Sequence, residues 1–326
     1  ALLREGKKRS TGHARVRVDV DTTASVSVTV CRPGVLYQPG RTAGMRVLVH
    51  GGAGGTAEEP VERQRTLDEA AATGADRAEP VAAALAAATA LESAPRFNAG
   101  VGSAVQSDGV IRTDAGLMTA AGTTGAACSM PGVEHAATVA RVVATETPHV
   151  LLAGEQAVAL AESFDVATDR DLWTARTRER WGKLDPPSTE DTREHVSWVR
   201  DRFGGSDTIG AVAADGTDLA AVTSTGGRWC ALAGRVGDVP QVGAGFYAAE
   251  HAAASATGAG EAIARFGLAR RAVALAAERT PQAAVDQAIE SFERATGEQA
   301  GVILVDAAGE TGSAYNSAEM QTAVNG

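Results

Sequence analysis

Two short apolar runs, IGAVAA at 209–214 and LAAVT at 219–223, are separated by Asp215-Gly216-Thr217-Asp218. An Asp-Gly turn between β-compatible runs commits this stretch to a hairpin of paired strands. Thr208 stands at the mouth of the first strand. From 206 to 248 the chain then adds a Ser/Thr/Gly cluster and a compact Arg/Asp pair. Core packing does not require so many reactive and anchoring groups, and the segment reads as an active site.

A threonine hydroxyl is a weak nucleophile unless a base lies beside it. An α-amino group, with a pKa of about 7.7–8.0, is one such base. If the chain breaks before Thr208, one residue carries both groups and no histidine is required. That fits the six histidines (13, 50, 135, 149, 195 and 251), which have neither triad nor metal-ligand spacing. His50 and His149 nevertheless lie in informative segments.

Further motifs follow in order: VHGGAG at 49–54, LESAPRFNAGVGS at 91–103, TPHVLLAGE at 147–155, DTIGAVA at 207–213, TSTGG at 223–227, GRVGD at 234–238, ATGAGE at 256–261, GVILVD at 301–306 and AYNSAEM at 314–320. On these residues the chain resembles, from Met45 to Gly326, the plant-type asparaginase and isoaspartyl-peptidase family of N-terminal-nucleophile (Ntn) hydrolases, relatives of the glycosylasparaginases and taspase. The resemblance implies an α/β four-layer αββα sandwich, cut between Asp207 and Thr208 into an α subunit (45–207) and a β subunit (208–326).

It also implies roles. Thr208 would be the nucleophile, its freed amine the base, and Thr225 would hold both in register. Thr257 and the Gly258 backbone N–H would form an oxyanion hole, and Asn98 would position the nucleophile and scissile group. Arg235 and Asp238 would clamp a free amino-acid end, since a guanidinium grips a carboxylate through two parallel hydrogen bonds and an acid three residues on suits an ammonium. The expected substrates are asparagine and β-aspartyl dipeptides. A glycosylasparaginase or a taspase-like endopeptidase is the enzymatic alternative, because Asp207 stands where most plant-type members have Gly. The TSTGG and GRVGD segments look asparaginase-like, whereas DAGLMTAAG at 114–122 strays from the family pattern.

Catalysis needs no cofactor on this reading. The resemblance does imply a structural sodium ion on the backbone carbonyls of Leu91, Glu92, Ala94, Phe97, Ala99 and Val101, hard neutral donors without a side-chain signature. The glycine-rich VLVHGGAGG could bring N–H groups to a phosphate, which defines a non-enzymatic alternative, a phosphate- or nucleotide-binding module. It lacks GxGxxG and GxxxxGK[ST] spacing.

Composition bounds the rest. The chain has 326 residues, enough for a large core, and only 4% aromatics, so small side chains must pack closely. Its net charge is −10. Residues 1–44 carry eight Lys/Arg against three Asp/Glu, leaving −15 on the remainder, a body that repels nucleic acid. Cys31, Cys128 and Cys230 have unrelated spacing, no apolar stretch suits a bilayer, and ALLREGKKRS lacks a signal-peptide core. The expectation is a cytoplasmic enzyme without a membrane partner, and relatives imply a dimer of αβ heterodimers. Residues 1–44 read as an upstream extension or an edge strand and basic arm. Residues 165–207, polar and set with Trp173, Trp181 and Trp198, read as a mobile linker or a surface insertion. Helices are expected at 79–91, at 260–278 and from Thr280-Pro281 to Gly297, followed by a strand at 301–306.

Overall fold

The computed structural model describes residues 44–188, 191–205 and 207–326. The upstream segment, apart from Gly44, lies outside the described residues. Seven strands form the large sheet: β1 (Arg46–Gly54), β2 (Arg112–Thr119), β3 (Thr124–Pro131), β4 (Leu151–Ala153), β5 (Ile209–Ala214), β6 (Leu219–Thr225) and β11 (Glu319–Asn325). Their order is β11-β1-β5-β6-β2-β3-β4, antiparallel except for the β3–β4 pair. The small sheet runs β10 (Thr311–Tyr315), β9 (Ala300–Asp306), β8 (Ala252–Gly258), β7 (Phe246–Ala249).

Helices α1 (Pro60–Ala75), α2 (Pro80–Glu92), α3 (Ala136–Glu146) and α4 (Gly154–Ser163) cover one face of the large sheet. Two short helices, α5 (Ala175–Gly182) and α6 (Thr192–Arg200), precede the central hairpin. The small sheet carries α7 (Gly260–Phe266), α8 (Leu268–Ala276) and α9 (Pro281–Thr296) on its outer face. A third apolar cluster fills the space between the sheets. The result is the αββα sandwich. Small residues make it dense: α2 buries Ala83, Ala84, Ala87 and Ala88 completely, and a Cβ on Gly74 of α1 would come within 2.8 Å of the Ala83 carbonyl. Phe246 of β7 drives its ring against Gly116 of β2, where any side chain would overlap it.

The hairpin forms as its turn chemistry dictates. Asp215 Oδ1 accepts from the backbone N–H groups of Thr217 (2.7 Å) and Asp218 (2.9 Å), and Gly216 takes φ +88°. Its strands β5 and β6 occupy the middle of the large sheet, fully buried, so the residue that opens β5 enters at the centre of the molecule. The expected helix at 260–278 is instead two helices. Gly267, at φ +71°, ends α7 and redirects the chain into α8, the left-handed turn that glycine tolerates and a continuous helix does not. Thr280 caps α9 through Ala283 N–H and Gly297 ends it at φ +68°.

Candidate active site

Thr208 is buried at the start of β5, and its Oγ1 donates to Thr225 Oγ1 at 3.2 Å. Thr225 is the last residue of β6, the partner strand, so hairpin pairing alone brings the two hydroxyls together. Thr225 Oγ1 accepts a second hydrogen bond from Gly227 N–H (3.1 Å) and donates to the Asp207 carbonyl oxygen (3.2 Å). Asn98 Nδ2 donates to the same carbonyl at 2.7 Å and to the Gly227 carbonyl at 2.6 Å, while its Oδ1 accepts from Ala104 N–H. The side chain is therefore fixed at both ends. Asp207 C=O thus has two donors on the oxygen that would become negative if Thr208 attacked it, the arrangement that stabilises a tetrahedral intermediate. The Asp207 side chain lies against Gly52, where a Cβ would approach Oδ1 to 2.6 Å; φ +112° at Gly52 likewise demands glycine. Burial pushes the Asp207 carboxyl up to about 6 against the opposing pull of Arg63 and Arg176.

Beneath the hairpin lies a polar bridge between the sheets that sequence reasoning missed. His50 Nε2 meets Ser255 Oγ at 2.9 Å, Ser255 Oγ meets Thr223 Oγ1 at 2.7 Å, and Thr223 Oγ1 donates to the Gly245 carbonyl. Burial drives His50 down to about 3, with a weaker opposing effect from the Thr208 backbone, so the ring is neutral and serves as a hydrogen-bonding strut. Gly210 makes room for it, since a Cβ there would overlap both Ser255 Oγ and His50 Nε2. The glycine of DTIG and the histidine of VHGGAG were the available signals. Glu92 is a second omission as a side chain. Fully buried at the end of α2, it accepts from Ser224 Oγ at 2.6 Å and Ala137 N–H at 2.9 Å, supporting β6 one residue before Thr225. Burial raises it to about 8.

The expected clamp assembles around Gly260. A Cβ on that residue would lie 2.7 Å from both Arg235 Nη2 and Asp238 Oδ1. Arg235 Nε donates to Glu261 Oε1 at 2.9 Å; Nη2 is equally close to that oxygen but has no hydrogen-bond geometry. Arg235 Nη2 and Asp238 Oδ2 are both buried without a hydrogen-bond partner among the described residues. Burial pushes Asp238 up to about 6, opposed by Arg235. Burial also works to raise Glu261, but Arg235 and Arg228 outweigh it and hold the carboxyl below its usual range. Asp114, paired in register with Thr225, also senses Arg235 and Asp238; its burial raises it to about 7. β2 thus links Thr225 to the Arg235–Asp238 pair. Thr257 and Gly258 end β8 just before Gly260; Thr257 Oγ1 accepts from Ala53 N–H (3.2 Å), and Gly258 adopts φ +135°.

The loop proposed to hold sodium follows α2. The Leu91, Glu92 and Ala94 carbonyls accept from Ala94, Val101 and Phe97 N–H respectively, each with a second lone pair remaining. Gly100 (φ +53°) and Gly102 (φ +97°) fold the loop back on itself, with the Pro95 and Phe97 carbonyls within 3.0 Å of a Cβ position on Gly102. The segment is rich in neutral oxygens, the donor set a hard monovalent cation takes.

A buried threonine opening the central strand, hydrogen-bonded back toward its own preceding carbonyl inside an αββα sandwich, defines an Ntn hydrolase. Comparison with known proteins places the chain within that class. The profile described as asparaginase matches residues 43–326. A plant-type L-asparaginase of Pyrobaculum calidifontis is 39% identical over 285 residues, 84% of this chain and 94% of the relative. An isoaspartyl peptidase/L-asparaginase of Danio rerio is 34% identical over 289 residues, covering 85% and 91%. An isoaspartyl peptidase of Salmonella typhimurium is 35% identical over 234 residues, covering 67% and 74%. The chain belongs to the asparaginase family.

Proposed function

We propose that this protein is a self-processing threonine amidohydrolase that hydrolyses the side-chain amide of L-asparagine and of β-aspartyl dipeptides, releasing L-aspartate. The observation that carries the reading is the chain Thr208 Oγ1, Thr225 Oγ1, Asp207 carbonyl, with Asn98 Nδ2 on the same oxygen. In processing, Thr208 Oγ1 attacks the Asp207 carbonyl carbon, the C–N bond breaks as the acyl group shifts to oxygen, and water hydrolyses the ester. The acyl shift frees the Thr208 amine, and the hydrolysis restores its hydroxyl. In turnover, that amine takes the hydroxyl proton as Oγ1 attacks the substrate β-carbonyl, then passes it to the departing nitrogen; water hydrolyses the β-aspartyl ester. Thr257 Oγ1 and Gly258 N–H stabilise the oxyanion, while Arg235 and Asp238 hold the substrate's α-carboxylate and ammonium.

The names of the relatives, and Arg235 Nη2 and Asp238 Oδ2, buried without a hydrogen bond among the described residues, favour small substrates with a free amino-acid end. The backbone loop at 91–101 holds a structural sodium ion in this reading, one that keeps Asn98 in place and takes no part in the chemistry. The working assembly is a dimer of αβ heterodimers, supported by exposed Leu151 on the edge strand β4 and exposed Val150 just before it; light scattering of processed protein tests it. No described helix is long and apolar enough to cross a membrane, and the proposed compartment is the cytoplasm. Denaturing mass spectrometry is the first functional test: two fragments with a new N-terminus at Thr208 are expected, together with aspartate release from asparagine and β-Asp-Leu. An unbroken chain with full activity would overturn the reading. Turnover of only a GlcNAc-asparagine or only an Asp-containing protein would move it to the glycosylasparaginase or endopeptidase alternative.

A further inference from the structure

A cavity of about 510 Å³ opens beside the Asp207–Thr208 bond, with Asn98, Asp207 and Gly227 among its walls. None of Arg235, Asp238, Thr257 or Gly258 lines it. It is therefore space next to the reacting carbonyl that the clamp does not use. Its wall mixes five cations with the carboxylates of Glu58, Glu179, Asp207 and Glu319, and most of the cations have partners. Arg96 pairs with Glu59 at 2.8 Å, Arg176 with Glu58 at 3.2 Å and Lys183 with Glu179 at 2.7 Å. Arg63 donates to the Gly51 and Arg96 carbonyls and to Gln321.

Arg180 is different. Projecting from α5 into the same cavity, its guanidinium forms no ion pair with any described residue and lies 4.1 Å above the Trp229 ring. Trp229 follows Gly227, whose N–H holds Thr225 Oγ1, so the cation is anchored to the segment that positions the nucleophile. The platform is firm: Trp229 and Trp198 are almost fully buried, and Trp181 stands edge-on to both and to Trp173. A stacked guanidinium keeps its N–H edge available for a planar anion.

The substrate supplies such an anion. When the leaving group is an amino acid, its α-carboxylate lies two bonds beyond the scissile nitrogen, on the side away from the clamped aspartyl end; ammonia leaving from asparagine has no such group. We propose that the cavity is the leaving-group site for β-aspartyl peptides and that Arg180, held on Trp229, binds the carboxylate of the departing residue. This rests on the amidohydrolase reading. The covalent step is the one already given: the Thr208 Oγ1–acyl bond forms, the C–N bond breaks, and the nitrogen takes the proton held by the Thr208 amine. Arg180 transfers nothing.

The test compares β-Asp-Leu with its C-terminal amide on processed wild-type enzyme, Arg180→Gln and Arg180→Lys, with asparagine as reference. Wild type should favour the acid over the amide by about tenfold or more in kcat/KM, the usual scale of a charge-assisted hydrogen bond. Arg180→Gln should remove that preference, chiefly through KM, with Arg180→Lys intermediate. Equal handling of acid and amide by wild type would overturn the proposal without any variant, and so would a preference retained in Arg180→Gln that had processed normally. If processed protein hydrolysed neither peptides nor asparagine, the amidohydrolase reading would fall and this one with it. Hydrolysis of asparagine and both peptides with no acid preference would sink only the Arg180 site.

Discussion

The pocket around Thr208 and the proposed clamp of Arg235 and Asp238 are built to opposite specifications. Around Thr208 nearly every polar group is engaged: Thr225 Oγ1 serves three neighbours, Asn98 is held at both ends, and the Asp207 carbonyl has two donors. At the Arg235–Asp238 pair, Arg235 Nη2 lies beside the Glu261 carboxylate without hydrogen-bond geometry, and Asp238 Oδ2 is buried with no hydrogen-bond partner among the described residues. A buried polar atom without a hydrogen bond costs about 1–3 kcal/mol, and on the proposed function these are the atoms a substrate's carboxylate and ammonium would satisfy. The difference separates two reactions in one site. On the proposed mechanism, cleavage of the chain's own bond needs only the preassembled side, whereas turnover also needs the side left open.

The largest expected effect comes from Thr208→Ala, which deletes both the attacking oxygen and its link to Thr225. Mass spectrometry should find a single chain, and aspartate release should be undetectable; a processed or active variant would contradict the assignment. Asn98→Ala removes one donor from the scissile carbonyl, and self-cleavage should slow by about 100- to 1000-fold, the usual cost of an oxyanion donor. Arg235→Ala should separate the two regions. Processing should still go to completion while KM for asparagine rises by roughly 10- to 100-fold, as expected for the loss of a charge-assisted carboxylate contact. If Arg235→Ala blocked processing as severely as Asn98→Ala, the two halves would not be separable.

Acidification sharpens the same contrast. The freed Thr208 amine, with an ordinary α-amino pKa of about 7.7–8.0, must be neutral to act as a base. Asp238 must be ionised to hold the substrate ammonium, and burial has pushed it up to about 6. The logarithm of kcat/KM for asparagine should therefore rise by about one unit per pH unit between these values and more steeply below about 6, where both groups are protonated. A slope that stayed at one down to pH 5 would mean that Asp238 does not titrate in the working enzyme.

The preassembled side was far more legible in the sequence than the open one. Thr208 and Thr225 are joined by a local hairpin whose turn is written in Asp215-Gly216, so knowing the hairpin nearly gives the contact. Arg235 and Asp238 could be read as a pair because they lie three residues apart. Their actual partners could not: Glu261 and Asp114 reach them from α7 and β2, elements placed only by the stacking of the two sheets. The His50–Ser255–Thr223 bridge was hidden for the same reason: His50 stood out in its motif, but its partners Ser255 and Thr223 look like ordinary strand residues until β1, β6 and β8 are superposed. The break between α7 and α8 had a local sign in Gly267, outweighed by the continuous apolar pattern on either side.

The smallest effect concerns Glu92, which supports the preassembled side from below. Its folded-state pKa of about 8 lies above the 4.5 of an ordinary glutamate. Between those values the folded protein holds a proton that the unfolded chain has lost. Stability contributed by that proton is complete below about 4.5, declines as pH rises, and is gone above about 8. Glu92→Gln keeps the shape of the neutral acid and an oxygen to accept from Ser224 Oγ and Ala137 N–H. Thermal unfolding of the uncut Thr208→Ala chain, with and without the second substitution, should give a melting temperature that falls less between pH 5 and 9 when glutamine is present. Parallel curves would place Glu92 ionised throughout, and the support beneath Thr225 would then be a charged one.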